Sequence, residues 1–462
     1  MLVRSVSGVR GIVGDGLSAV LARRYAEAFG ARGGTIAVAQ DARSSGLWLA
    51  YAALTGLAAA GARGVYIGLC ATPAAQVAVE ELGAAGGMVI TASHNPDGWN
   101  GLKFVGPDGT FLAPAEMEAL FAATDALPTS PGADFEADMG AEIPWDPRAI
   151  HWHVKRARQG VGLEPGALAK AKLRVVVDGC RSVGGLSTLR ALREVGCAVV
   201  ELDCEPDGRF TRGPEPVPEN LGALGALVRE SQAHFGVAHD PDGDRAALVD
   251  ERGEPVGEER TLALAVAEEL KRHASPVVVN LSTSMASADL ARQAGVPFHR
   301  APVGERHVVG RMREVGARIG GEGNGGVILA AAHWGRDGTV AALLAARAAA
   351  ESGERFSALV GRLPGYEMVK SKFENVDWAG SKEAIKNAFP DAEADATDGW
   401  RFQWKDSWIH ARPSGTEPVV RVIAEAPTKE QAQALCERAR AVLRSRSSSS
   451  GREGAKKDAD RR

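Results

Sequence analysis

A hydroxyl, an imidazole and an amide stand side by side in Ser93-His94-Asn95-Pro96, just after the apolar run Gly87-Met88-Val89-Ile90, with the ammonium of Lys103 a few residues on. Such a group at an abrupt strand end is suited to carrying a phosphate, although Asn and Pro alone would also make a turn there. A second polar segment, His239-Asp240-Pro241-Asp242-Gly243-Asp244-Arg245, follows the apolar Phe235-Gly236-Val237-Ala238. Its carboxylates alternate with Pro and Gly, so their oxygens can converge on one hard divalent cation. Without a cation these close like charges repel. An EF-hand loop is excluded, because Arg245 stands where its turn needs Gly and Ala246-Ala247-Leu248-Val249 reads as a strand, not an exiting helix.

Two more polar loops interrupt apolar runs. Gly320-Gly321-Glu322-Gly323-Asn324-Gly325-Gly326 offers a carboxylate and a carboxamide on a glycine-rich connector, suited to hydrogen-bonding sugar hydroxyls, though Gly-rich connectors are often only turns. Arg412-Pro413-Ser414-Gly415-Thr416-Glu417-Pro418 combines a guanidinium, two hydroxyls and free backbone N–H groups, with Arg421 on the next strand. That is the chemistry of an anion cradle.

In this order along the chain, the four loops resemble those of the α-D-phosphohexomutase superfamily, which contains phosphoglucomutases, phosphomannomutases and phosphoglucosamine mutases. The resemblance runs from Ser7-Gly8-Val9-Arg10-Gly11 to about Arg444 and includes Pro214-Glu215-Pro216-Val217-Pro218-Glu219-Asn220-Leu221. The segment Val38-Ala39-Gln40-Asp41-Ala42-Arg43 also resembles the family's pattern, with Gln40 where an arginine is usual. Gly326 stands where some members carry a histidine, which leaves no histidine acid or base at that loop. Arg300, Glu305, Arg306 and His307 match a further substrate-facing loop only loosely and stay outside the site.

The resemblance implies a phosphohexomutase that interconverts hexose 6-phosphate and hexose 1-phosphate through a phosphoserine and a 1,6-bisphosphate. One Mg2+ per site is expected on Asp240, Asp242, Asp244 and an oxygen of phospho-Ser93, together with a glucose-1,6-bisphosphate-type activator. Arg10, Lys103 and Arg245 would stabilise the transferring phosphoryl group or move a proton. His94 would donate a hydrogen bond beside the phosphoserine or simply shape the turn. Glu322 and Asn324 would hold the sugar, and Arg412, Ser414, Gly415, Thr416 and Arg421 its distal phosphate. The opening loop and the Gly-Glu-Gly-Asn-Gly-Gly loop resemble phosphoglucosamine mutases, whereas Thr91-Ala92-Ser93 resembles the glucose and mannose enzymes. A Mg-dependent sugar phosphatase or a silent binding protein on the same fold are the readings from other classes.

These loops need a scaffold, and the chain has the means to build one. Its 462 residues, 45% hydrophobic and 24% charged, predict three or four globular domains. The fold class expected is α/β: three related α/β domains with mixed, mainly parallel sheets, then a C-terminal α+β domain, around a central cleft. The expected boundaries are 1–148 (phosphoserine loop), 149–255 (metal loop), 256–364 (sugar loop) and 365–444 (phosphate loop), with 445–462 a disordered, Ser-rich tail. The net charge of −4 argues against nucleic acid as the main partner. Five cysteines without C-x-x-C spacing point away from disulfides and zinc, towards a cytoplasmic home. The charge-free span Ser44 to Ala62 reads as a buried helix, not a membrane span.

Overall fold

The computed structural model describes residues 2–128, 144–374, 376–414 and 419–443. Four sheets follow one another along the chain, of seven, five, four and five strands.

The first three share one wiring. In the first, the strand Thr35–Gln40 lies between Arg63–Leu69 and Gly86–Ile90, both parallel to it, and Trp99–Val105 returns antiparallel beside Gly86–Ile90. The second repeats this with Arg174–Asp178 between Ala198–Leu202 and Phe235–His239, and Ala246–Asp250 returning. In the third, Val277–Asn280 lies between Phe298–Ala301 and Ile319–Glu322, with Gly326–Leu329 returning. Each of the first three polar loops is therefore the tip where the third strand of its unit turns back into the fourth. Ligand-binding loops belong at these carboxyl ends of the strands of an open α/β sheet.

Residue type explains the strands. Gly86–Ile90, Phe235–His239, Val277–Asn280 and Ile319–Glu322 are buried along their whole length, as expected of strands covered on both faces by helices. In the first sheet, the helices Ala19–Gly30 and Gly46–Ala59 pack one apolar layer, and Thr72–Glu81 packs the other. The fourth sheet is wholly antiparallel, ordered Glu367–Glu374, Val419–Ala426, Trp408–Pro413, Trp400–Gln403 and Glu393–Asp395. The helix 429–443 packs on it through Cys436, Ala439 and Leu443.

One expectation needs correction. The helix within the charge-free span, Gly46–Ala59, is buried only on the side facing the sheet and its neighbouring helix, and leaves Leu47, Trp48 and Tyr51 exposed. The span lies on the domain surface, so absence of charge there did not mean full burial. Among the described residues no helix is long and apolar enough to cross a membrane. The five cysteines are all free and buried.

Candidate active site

The first tip is held by its own backbone acceptors. Ser93 adopts φ 52°, in the left-handed region, a conformation that costs a non-glycine residue free energy and needs support from its surroundings. Thr91 Oγ1 accepts the Ser93 N–H at 2.9 Å and donates to Asp41 Oδ2 at 2.7 Å. Arg43 donates to four carbonyls around the turn: Ser93 at 2.7 Å, Asn95 at 2.6 Å, Pro96 at 2.9 Å and Trp99 at 3.1 Å. Its Nε reaches Asp41 at 3.1 Å. The sequence marks the Asp41–Arg43 segment only by resemblance, because Arg43 acts on main-chain oxygens that carry no residue signature.

The second tip lies against the first. The carboxylates of Asp240, Asp242 and Asp244 are fully buried, and one oxygen from each lies within 4.8 Å of the others. Ser93 Oγ donates to Asp240 Oδ2 at 3.1 Å, so the hydroxyl and the acidic cluster, 147 residues apart, form one site. Docking of the first two domains brings this about. Thr72, opening the helix Thr72–Glu81, donates through N–H to Asp242 O at 2.8 Å and through Oγ1 to Asp242 Oδ2 at 2.5 Å. That helix terminus also favours negative charge. Gly243, at φ +68° against Gly184 and the Ala71 side chain, leaves no room for a larger residue.

Burial pushes the Asp240 carboxyl well above the usual range, and the charges of Asp244 and Asp242 add to it. Burial opposes ionisation of Asp242 too, but Lys103 at 2.6 Å and the Thr72 hydroxyl outweigh it and hold that carboxyl far below the usual range. The Lys103 ammonium also reaches Asp244 Oδ2 at 3.5 Å. Asp242 Oδ1 and Asp244 Oδ1 are buried without a hydrogen-bond partner. Orphaned buried carboxylate oxygens of this kind suit a hard divalent cation.

Basic side chains roof the pair. Arg245 Nε lies 3.7 Å from Asp244 and 3.9 Å from Asp240, and Nη1 donates to Glu215 at 3.2 Å. Arg10 Nη1 reaches Asn95 Oδ1 at 3.5 Å; burial lowers its guanidinium from the ordinary value, with Asp242 opposing. His94 Nδ1 lies 3.4 Å from Ser93 Oγ. Burial, reinforced by Arg245, Arg10 and Arg421, keeps this imidazole well below its ordinary range and hence neutral near pH 7.

A solvent-open cleft adjoins this centre. Arg10, His94, Lys103 and Arg245 line it from the first two domains, Glu322 and Asn324 from the third, and Arg412, Ser414 and Arg421 from the fourth. Gly415 and Thr416 lie outside the described residues. Arg412 and Arg421 are directly opposite one another on antiparallel strands, and Lys372 is opposite Arg421 on the other side. A cross-strand row of like charges is unfavourable by itself, and an anion relieves it. Arg412 Nε also lies 3.0 Å from Asp398.

Glu322 is fixed by Asn280 Nδ2 at 2.7 Å, Gly304 N–H at 2.8 Å and Arg336 at 2.8 Å. Glu305, Arg306 and His307, left out of the sequence reading for want of a clear motif, line the same cleft. Arg336 and Thr72 were missed altogether: each lies in an ordinary apolar or glycine-rich context whose role appears only when domains meet.

Four domains converging their hairpin tips and one cationic turn on a single cleft define the phosphohexomutase class. Successive stretches match the phosphoglucomutase/phosphomannomutase alpha/beta/alpha domains I (2–129), II (153–253) and III (258–366), and the C-terminal domain of the same proteins (368–442). The chain belongs to the phosphoglucomutase/phosphomannomutase family. It is 36% identical over 439 residues to a probable phosphoglucosamine mutase of Methanopyrus kandleri, covering 93% of this chain and 95% of that one. It is 35% identical over 447 residues to a phosphoglucomutase/phosphomannomutase of Thermococcus kodakarensis, covering 93% and 96%. Among solved structures, a phosphoglucomutase/phosphomannomutase family protein from Burkholderia thailandensis superposes with a TM-score of 0.79 at 27% identity, covering 96% of both chains. An Aspergillus fumigatus N-acetylphosphoglucosamine mutase, solved with GlcNAc-6P and magnesium, shares the fold at TM-score 0.57 and 16% identity, again covering 96% of both.

Proposed function

We propose that this phosphohexomutase acts chiefly on glucosamine phosphate, with glucose and mannose phosphates as the next substrates, and that Ser93 carries the phosphoryl group. The carrying observation is the 3.1 Å contact between Ser93 Oγ and the buried acidic cluster, at one side of a cleft that also holds the opposed Arg412 and Arg421.

The sugar phosphate enters with its phosphate on Arg412, Arg421 and Ser414, and its hydroxyls on Glu322 and Asn324. Its free hydroxyl then faces Ser93. Phosphoryl transfer from phospho-Ser93 forms the O–P bond to that hydroxyl and breaks the one to Oγ, giving a 1,6-bisphosphate. Arg10 and Arg245 hold the equatorial oxygens, as cationic clamps do in phosphoryl transfer. Asp240, Asp242, Asp244 and an oxygen of the phosphoserine would hold a divalent cation, which would supply positive charge beside the serine oxygen. Lys103, in contact with Asp242 and Asp244, favours the ionised form of Asp242 and is placed to move a proton. His94, neutral, orients the serine. The bisphosphate turns end over end in the cleft and returns its other phosphate to Ser93, so a glucose-1,6-bisphosphate-type activator would reload dephosphorylated enzyme. The boundaries 1–148, 149–255, 256–364 and 365–444, which separate the four sheets except that the edge strand Pro255–Gly257 of the second crosses the 255/256 boundary, and a cytoplasmic location consistent with five free buried cysteines complete the reading.

The test is a comparison of kcat/KM on the 1-phosphates of glucosamine, glucose and mannose with Mg2+ and the matching 1,6-bisphosphate. Preference for glucosamine 1-phosphate is expected. A higher constant on either neutral sugar overturns the substrate assignment, and release of inorganic phosphate without isomerisation would favour a phosphatase.

A further inference from the structure

Arg336 sits where three loops meet. Its Nη2 donates to Asp244 Oδ2 at 2.5 Å, its Nη1 to Glu322 Oε2 at 2.8 Å and its Nε to Glu305 Oε2 at 3.1 Å. One planar fork thus serves a residue of the metal loop, a residue of the sugar loop and a third carboxylate beside the cleft. Because the guanidinium is rigid, a shift of one carboxylate re-aims the bonds to the others.

The backbone beneath Arg336 belongs to the same joint. Asp337 N–H donates to Val327 O of the sugar hairpin at 2.8 Å, and Gly338 N–H to Gly243 O of the metal loop at 3.1 Å. Asp337 in turn caps the helix Gly338–Ser352 through Thr339 and Val340 N–H groups and pairs with His153 at 2.7 Å and His333 at 3.1 Å. The stem of Arg336 passes over Gly326, where any Cβ would overlap its Cδ. The bare glycine at 326 and the arginine at 336 therefore depend on each other.

We infer that Arg336 is a positioning residue that couples the cation site to the sugar site, so that each ligand strengthens the binding of the other. A cation that fixes Asp244 fixes the guanidinium, and through it holds Glu322 in the orientation that meets the sugar. Coupling of this kind is reciprocal. The inference rests on the reading of the cleft as a hexose phosphate site.

The test uses the dephosphorylated full-length chain, which has no phosphoryl group to transfer. Mn2+ is titrated calorimetrically without sugar, with saturating glucosamine 6-phosphate, and with inorganic phosphate, which lacks the sugar hydroxyls assigned to Glu322. In the wild type the sugar phosphate should tighten Mn2+ binding about fivefold or more beyond the effect of inorganic phosphate. Arg336→Gln should bring that extra factor to about 1 while leaving the inorganic phosphate effect in place. Gly326→Ala keeps all the charges but displaces the guanidinium; it should lower the factor as well, and it serves as the test if Arg336→Gln fails to fold. No extra factor in the wild type, or an unchanged one in the variants, overturns the inference. Failure of the wild type to bind glucosamine and glucose 6-phosphates at all would instead overturn the substrate reading.

Discussion

The acidic tip of the second domain and the basic row of the fourth treat charge in opposite ways. Asp240, Asp242 and Asp244 are fully buried, and Lys103, Arg245 and Arg336 surround them. Arg412, Arg421 and Lys372 stand in a row across an antiparallel sheet at the cleft wall, partly open to solvent. The first arrangement fixes one geometry, as a reacting centre needs. The second attracts an anion without dictating how the rest of the molecule lies, which suits the role proposed for it, holding either end of a turning sugar.

Breaking the buried side should cost most. Ser93→Ala should reduce mutase turnover to background with the fold intact, as measured by coupled assay and thermal melting. Intact mass should show a phosphorylated fraction mapped to Ser93 in the wild type only; residual turnover in the variant would mean another carrier. Arg43→Met removes the donor for four carbonyls and strands the buried Asp41, and should destabilise the protein by about 3–5 kcal/mol in urea titration. A change under 1 kcal/mol would mean that the turn holds itself.

Changes in the fourth domain should be milder, and at the open Arg412 confined to binding. Arg412→Ala removes a charge-assisted contact of about 1.5–3 kcal/mol, and kcat/KM should fall by the corresponding ~10–150-fold with little change in melting temperature. Unchanged kinetics would reduce the cradle to a turn. The smallest effect concerns His410, whose Nδ1 lies 2.8 Å from Ser282 Oγ of the third domain and Nε2 2.5 Å from Asp398 O. Burial holds its imidazole down to about 4. Below pH ~6.5 the unfolded chain takes up a proton that the folded one refuses, so stability present above that pH is lost as pH falls towards 4. At pH 5.5 the loss is about 1 kcal/mol, and His410→Asn should flatten that part of the stability profile.

The division between buried and open also marks what the sequence could reveal. Motifs whose side chains do the contacting, such as Asp240, Asp242 and Asp244, were legible because their spacing alone implies convergence. The strands flanking the first two tips were legible from apolar runs: Gly87–Ile90 gained Gly86, Phe235–Ala238 gained His239 and Ala246–Val249 gained Asp250. What stayed hidden works through the main chain or across domains. Arg43 serves carbonyls, Thr72 serves another domain, and Arg336 serves three loops that are separate in the sequence. Likewise the exposed Trp48 and Tyr51 could not be told from buried ones, because lack of charge does not say which side of a helix faces its sheet.

The recurrence of one strand order three times over carries an evolutionary consequence. A chain that repeats a single strand order in tandem does not need a new scaffold for each task, only a different cargo at the bend of each repeat: a hydroxyl on one, acid groups on the next, a carboxylate and a carboxamide on the third. Substitutions confined to those bends can then retune chemistry or appetite while the load of holding the molecule together stays with layers they never touch.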